Sequence, residues 1–157
     1  MPPATHPALM PKLAEATREV FETMVFTTLV SGEPVRDRPQ PVASVMGSVR
    51  FLGSLSGTVS FYAADDAARE IACLMLGAAP EEADGQLADA IGEITNMIAG
   101  TFRAKMAQAG ETLMITTPTV TRGNDFCAQH FHVVSRWLCP FTMNDRTLYV
   151  ELILQAA

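Results

Sequence analysis

Glu93 and Asn96 stand three residues apart in the stretch LADAIGEITNMIAGTF, which runs from Leu87 to Phe102. On a helix that spacing sets a carboxylate beside an amide. The carboxylate can accept a charge-assisted hydrogen bond from a cation, and the amide offers a donor and an acceptor together, enough to hold a water molecule. Asn is a costly choice for a helix surface, because it competes with the backbone for hydrogen bonds where Lys, Arg, Gln or Glu lose little entropy. At about 100° per residue, Asp89, Glu93, Asn96, Gly100 and Arg103 fall in one narrow stripe, and Leu87, Ile91, Ile94, Ile98 and Phe102 form the opposite, core-directed face. Gly100 gives up roughly 1 kcal/mol of helix propensity and leaves bare backbone open to close approach. An ordinary solvated helix face carries the same residue types, so on the local pattern alone a structural and a functional reading both stand.

Other chemistries find weaker support. His130 and His132 would share one face of a strand, but two histidines without a third ligand make a poor zinc site, and no metal site is expected. Cys73, Cys127 and Cys139 are odd in number and sit in apolar surroundings, which fits reduced, inert thiols rather than a disulfide framework. No local Ser-His-Asp or Cys-His pattern occurs, and the glycine-containing run from Gly47 to Gly57 lacks the Lys-Ser/Thr ending of a phosphate-binding loop. The net charge is −6, and Arg36, Arg38 and Arg50 form no continuous basic run. Non-specific nucleic-acid binding is thereby disfavoured, while a partner with a basic patch is accommodated.

With 157 residues, 48% of them hydrophobic and 18% charged, the chain suits a single domain over 1–157 with a substantial core. No segment approaches the ~18 apolar residues that span a bilayer. The N-terminal MPPATHPALMPKLAEA lacks a basic region followed by an apolar run, so a cytoplasmic protein away from the membrane is expected.

The pattern predicts a long helix from Ala8 to Val30, stopped by SGEP, then a loop at VRDRPQP. Alternation from Val42 to Tyr62, broken at GSLSG, predicts a hairpin. Asp65 and Asp66 open a short helix through Met75 that Gly77 ends, and the longest helix follows from about Glu81 to Gln108. Strands are expected over Thr112–Thr121, Ala128–Cys139 and Thr147–Leu154, the last two joined through the turn MND. This order implies an α+β fold in which long helices pack on an antiparallel sheet.

An internal repeat sharpens the picture. LAEATREVFETM from Leu13 aligns without a gap on LADAIGEITNMI from Leu87. Glu19 then lies opposite Glu93, but Glu22 takes the place of Asn96, so only the second copy holds a Glu-x-x-Asn pair.

The string D-x-x-x-E-x-x-N-M-I-A-G, here Asp89, Glu93, Asn96, Met97, Ile98, Ala99 and Gly100, resembles the signature helix of the CheC/CheX/FliY family of chemotaxis phosphatases. Pro118 within TTPTV, the SGTV hairpin, REVFETM and the duplicated helix are similar as well, so the likeness spans essentially the whole chain. The single intact pair resembles the CheX branch, since CheC-type members commonly keep the pair on both helices. The resemblance implies the family's fold of long helices on an antiparallel sheet, sometimes as a homodimer. It also implies hydrolysis of the aspartyl phosphate on a response-regulator receiver domain such as phosphorylated CheY. The receiver would bring the phosphoaspartate, Mg²⁺ and a lysine, and this chain would bind no cofactor of its own. Asn96 would orient the attacking water and Glu93 would meet the receiver lysine, with Asp89, Met97, Gly100, Arg103 and Pro118 at the docking surface. The alternative is a non-catalytic module that grips a receiver through the same helix.

Overall fold

The computed structural model describes residues 9–37, 41–123 and 133–156. Cys127, Arg38, His130, His132 and the start of the strand expected over Ala128–Cys139 lie outside them.

The helix begun by LMPKLAEATREV is α1, Leu9–Val20, and it is shorter than the sequence suggested. A π-helical turn occupies Phe21–Val25, and Phe26 then takes a left-handed φ of 58° with its N–H returned to the Phe21 carbonyl. The reason lies in VFTTLV: β-branched side chains crowd a helix but suit a strand. Val30–Ser31 accordingly form β1, paired with Thr142 and Phe141. The expected loop at VRDRPQP likewise contributes a short strand, β2 (Val35–Arg36), against Leu138 and Trp137.

The hairpin is present as β3 (Val45–Gly53) and β4 (Ser56–Ala63), and α2 spans Asp65–Leu76, ended by Gly77 at φ 67°. The longest helix, α3, is Ala83–Gln108. The single strand expected over Thr112–Thr121 is instead two, β5 (Leu113–Ile115) and β6 (Thr119–Arg122). Pairing passes from Phe51↔Ile115 to Ser48↔Thr119, so three steps of β3 answer four on its partner. That extra residue is a bulge, a place where Pro is tolerated because no ladder N–H is needed. Strands β7 (Val133–Met143) and β8 (Arg146–Gln155) close the chain through Asn144 and Asp145, whose φ values of 46° and 69° suit a tight type I′ turn.

Among the described residues, eight strands form one antiparallel sheet in the order β1-β7-β8-β4-β3-β5, with β2 also on β7 and β6 also on β3. The central β4–β8 pairing joins the strand pairs of the two copies. Helix α1 packs over β7 and β8, whereas α3 packs over β3 and β4 and reaches β5 and β6 at the edge. Leu13 and Leu87, aligned in the repeat, are both fully buried, as are Ile91, Ile94, Ile98 and Phe102. The α+β architecture and the core face of α3 are as the pattern predicted.

Helix α3 packs closely on the sheet at Gly47. A Cβ there would lie 2.1 Å from Thr95 Oγ1, so the glycine makes room for the threonine. Thr95 is fully buried, and its hydroxyl donates to the Ile91 carbonyl at 2.6 Å. On the face of the sheet away from the helices, Glu151 is buried and accepts a hydrogen bond from Tyr62 Oη at 2.8 Å, with Arg136 Nε at 3.5 Å. Burial raises its carboxyl above the ordinary 4.5, against the lowering by Tyr62 and Arg136.

Gly47→Ala should therefore lower unfolding stability by about 2 kcal/mol in urea denaturation, the usual cost of overpacking a core. An unchanged midpoint would show that α3 can slide off the glycine. For Glu151, a raised folded value means that the native state holds the proton more tightly than the unfolded chain. Its contribution to stability is then full below the unfolded carboxyl pKa and is lost as pH rises through the folded one. Stability against pH above about 4.3 should fall less steeply in Glu151→Gln, which keeps an acceptor for Tyr62; a parallel profile would contradict the buried titration.

Candidate functional site

Glu93 and Asn96 lie on the outward side of α3, Glu93 exposed and Asn96 half-buried. The direction is set by what lies between them. Thr95, locked into the gap at Gly47, fixes the rotation of the helix, while Ile94 and Ile98 enter the core. Thr95, fully buried against Gly47, is thus the anchor of the pair and not part of its surface. Among the described residues, neither the Glu93 carboxylate nor the Asn96 amide has a hydrogen-bond or ion-pair partner.

The pair borders an open groove of ≈ 500 Å³ lined by Ala88, Asp89, Gly92, Glu93, Asn96, Pro118 and Val120. One wall is α3 and the other is the bulge and first residues of β6. Gly92 lets the walls meet: a Cβ there would sit 3.3 Å from Val120 Cγ2 and 4.0 Å from Pro118 Cγ. The bulge holds through Thr116, whose N–H donates to the Arg50 carbonyl at 2.9 Å and whose Oγ1 accepts the Arg50 N–H at 3.1 Å.

Of the residues expected at the surface, the structure brings Asp89, Glu93, Asn96 and Pro118 together in the groove. Gly100 and Arg103 continue the stripe along α3 beyond the groove, with nothing within 4 Å of a Cβ at Gly100. Met97 is partly buried and packs against the core. Gly92 and Val120 escaped sequence reasoning. Gly92 carried a signal, a second glycine in a helix interior one residue before Glu93, but its meaning depends on a strand that approaches from far along the chain.

The aligned position on the first copy is differently equipped. Glu22 falls in the π-helical turn, so regular helix spacing from Glu19 is lost there. Glu19 is taken up by Lys105, whose Nζ lies 2.7 Å from Glu19 Oε1 and 3.1 Å from Glu15 Oε1. These carboxylates, Glu19 foremost, hold the Lys105 ammonium above its ordinary range. Among the described residues no three of His, Cys, Asp and Glu converge as a metal site. None of the helices there is long and apolar enough to cross a membrane.

The arrangement is a carboxylate and an amide, both unengaged among the described residues, beside an open groove. Residues 45–142 match the family described as Chemotaxis phosphatase CheX, and the chain belongs to it. A Thermotoga maritima relative, CheY-P phosphatase CheX, is 27% identical over 141 residues, covering 85% of this chain and 90% of its own length. The crystal structure of chemotaxis protein CheX from Desulfovibrio desulfuricans has a TM-score of 0.86 at 27% identity, covering 94% of this chain and 99% of that one. The fold also matches the CheX–CheY–BeF3–Mg²⁺ complex of Borrelia burgdorferi, with a TM-score of 0.79 at 19% identity over 94% of this chain and 97% of that one.

Gly100 and Gly92, two of the three glycines of α3, should respond differently to alanine. Gly100→Ala should stabilise the protein by about 0.5–1 kcal/mol, because propensity improves and nothing is displaced. Gly92→Ala should gain less, since its methyl group must push Val120 aside. Equal gains in denaturant unfolding would show that β6 does not press on α3.

Proposed function

We propose that the chain, as one domain over 1–157, hydrolyses the aspartyl phosphate of a CheY-like response-regulator receiver. The observation that carries the reading is the unengaged Glu93 and Asn96 side by side at the groove, on a chain of the CheX family. The name of the Thermotoga maritima relative and the Borrelia burgdorferi complex, in which CheX is bound to CheY with BeF3 and Mg²⁺, support the substrate class.

In this reading α3 lies across the receiver's phosphorylation site. Glu93 accepts a charge-assisted hydrogen bond from a receiver lysine and fixes the register of docking. The Asn96 amide binds a water and directs its oxygen in line with phosphorus. Water forms the new P–O bond as the bond to the aspartate breaks, giving inorganic phosphate and a free receiver carboxylate. Mg²⁺ belongs to the receiver, where it neutralises charge on the phosphoryl oxygens. A second carboxylate at position 96 would repel those oxygens, whereas a neutral amide positions water without adding charge. Positioning alone can remove several kcal/mol from a barrier, so one amide on a rigid helix suffices.

Asn96→Ala should lower the rate of phosphate loss from the receiver on the order of 100-fold, about 2.7 kcal/mol, with affinity largely retained. Glu93→Ala should weaken binding as well as turnover. The measurement is dephosphorylation of phosphorylated receivers from the same cell, with and without each variant. A raised KM at unchanged kcat in Asn96→Ala would remove the water-positioning role. Binding of a receiver with no acceleration by the wild type would make the helix a docking module.

A further inference from the structure

One wall of the groove is a four-residue edge strand, and the structure shows what keeps it in place. Among the described residues β6 pairs with β3 alone, so its other edge is unsupported. Val120 and Arg122, two apart on a strand, face the helices together. Val120 meets α3 at Gly92, whereas Arg122 reaches back to the helix start, with Nη2 3.0 Å from Asp84 Oδ1. The same nitrogen lies 3.7 Å from Asp65 Oδ1, in the first turn of α2. Asp84 also receives Arg69 Nη2 at 3.2 Å, which joins both helix starts to β6 in one charged network. Hydrogen bonding from Arg122, then from Arg69, holds the Asp84 carboxyl below its usual range.

The pairs are solvent-exposed and add little to global stability; what matters is where they hold the strand. A strand that touches a helix at one point can pivot about it. Residues 84 and 92 are about 12 Å apart along α3, and the chain around β6 meets the helix near both, with Val120 and Pro118 at Gly92 and Arg122 at Asp84. Two separated contacts remove the pivot and fix the far end of the strand, where Pro118 lines the groove with Asn96.

We propose that Arg122 is a positioning residue: by holding β6 to the starts of α3 and α2 it keeps the Pro118 wall at the spacing from α3 that a docked receiver requires. It touches no reacting atom, and its effect falls on docking and not on the chemical step. The inference rests on the phosphatase reading for its consequence in turnover, but the brace itself can be measured without a receiver.

The test uses the full chain with Arg122→Ala and Arg122→Lys. Hydrogen exchange at Thr119 and Thr121, whose N–H groups face β3 in this register, reads the brace directly, and steady-state kinetics on a phosphorylated receiver read its consequence. Exchange in β6 should speed up on the order of 10-fold in Arg122→Ala while the core of β4 and β8 stays protected. KM should rise on the order of 10-fold with kcat within about 2-fold. Arg122→Lys should recover most of both effects through one remaining contact to Asp84. Unchanged β6 exchange in Arg122→Ala would overturn the brace. So would a lowered melting temperature with KM unchanged, or a loss confined to kcat. If the wild type turns over no receiver, the phosphatase reading fails, and β6 exchange alone decides for or against the brace.

Discussion

The site depends on one close packing contact, that of Thr95 against Gly47. A helix lying on a sheet can in principle turn about its axis, and a turn of one residue would carry Glu93 or Asn96 toward the core. The absence of a side chain at Gly47 opens a slot in β3 that Thr95 fills, and the threonine hydroxyl, bonded to the Ile91 carbonyl, brings no unpaired polar group into the core. Rotation and height of α3 over the sheet are then fixed together. Gly92, one turn earlier, then leaves room for Val120, which a Cβ there would approach to 3.3 Å. Two glycines, one on the sheet and one on the helix, define the distance between the walls of the groove.

The internal repeat shows what that arrangement adds. Both copies place an exposed glutamate at the aligned position, yet their electrostatic surroundings differ. Glu19 is neutralised within the chain by Lys105, which ties α1 to α3. No cation inside the described protein reaches Glu93. An exposed ion pair of the first kind contributes little to stability, but it leaves Glu19 less available to an outside cation. The first copy also departs from regular helix at Phe21, just where Glu22 replaces Asn. Chemical identity, local geometry and charge all separate the copies, consistent with a single working face.

Much of this was legible in the sequence because it rests on periodicity. The 3.6-residue pattern of α3 identified Leu87, Ile91, Ile94, Ile98 and Phe102 as core, and Glu93 and Asn96 as outward. Gly77 and Asn144-Asp145 marked their turns because those residues accept positive φ. The failures occur where long-range pairing overrides local preference. The first helix gives way to a π-helical turn after Val20 and ends at Val25, five residues short of the expected Val30, because the chain from Val30 pairs with β7, and nothing near VFTTLV names that partner. The bulge between β5 and β6 is invisible without the register on β3. Pro118 was recognised through a resemblance, but its place as a wall follows only once the bulge is known. Met97, next to Asn96 in sequence, was expected at the surface, yet the helix turns it partly into the core.

Glu93 and Asn96 are not alone in lacking a partner, since among the described residues the side chains of Asp89 beside them and of Glu22, Arg50 and Arg103 elsewhere have none. What sets the pair apart is its place at the groove, while several cations are engaged within the chain. Lys105, Arg122, Arg69 and Arg146 each meet a carboxylate, and buried Glu151 is met by Tyr62 and Arg136. Against that background an unengaged carboxylate and amide, held side by side on a rigid helix, do not contribute to the fold. Leaving them open forfeits little, since both retain access to water, and it preserves their full hydrogen-bonding capacity for a partner. A flexible loop could present the same groups, but each docking event would then have to order it. The buried side of α3 has already met that cost during folding, so the amide is held in place before any partner arrives. The economy of the site, one amide with the Glu93 and Asp89 carboxylates beside it, is intelligible if the partner brings the reactive phosphoryl group and the cation, and this chain contributes position.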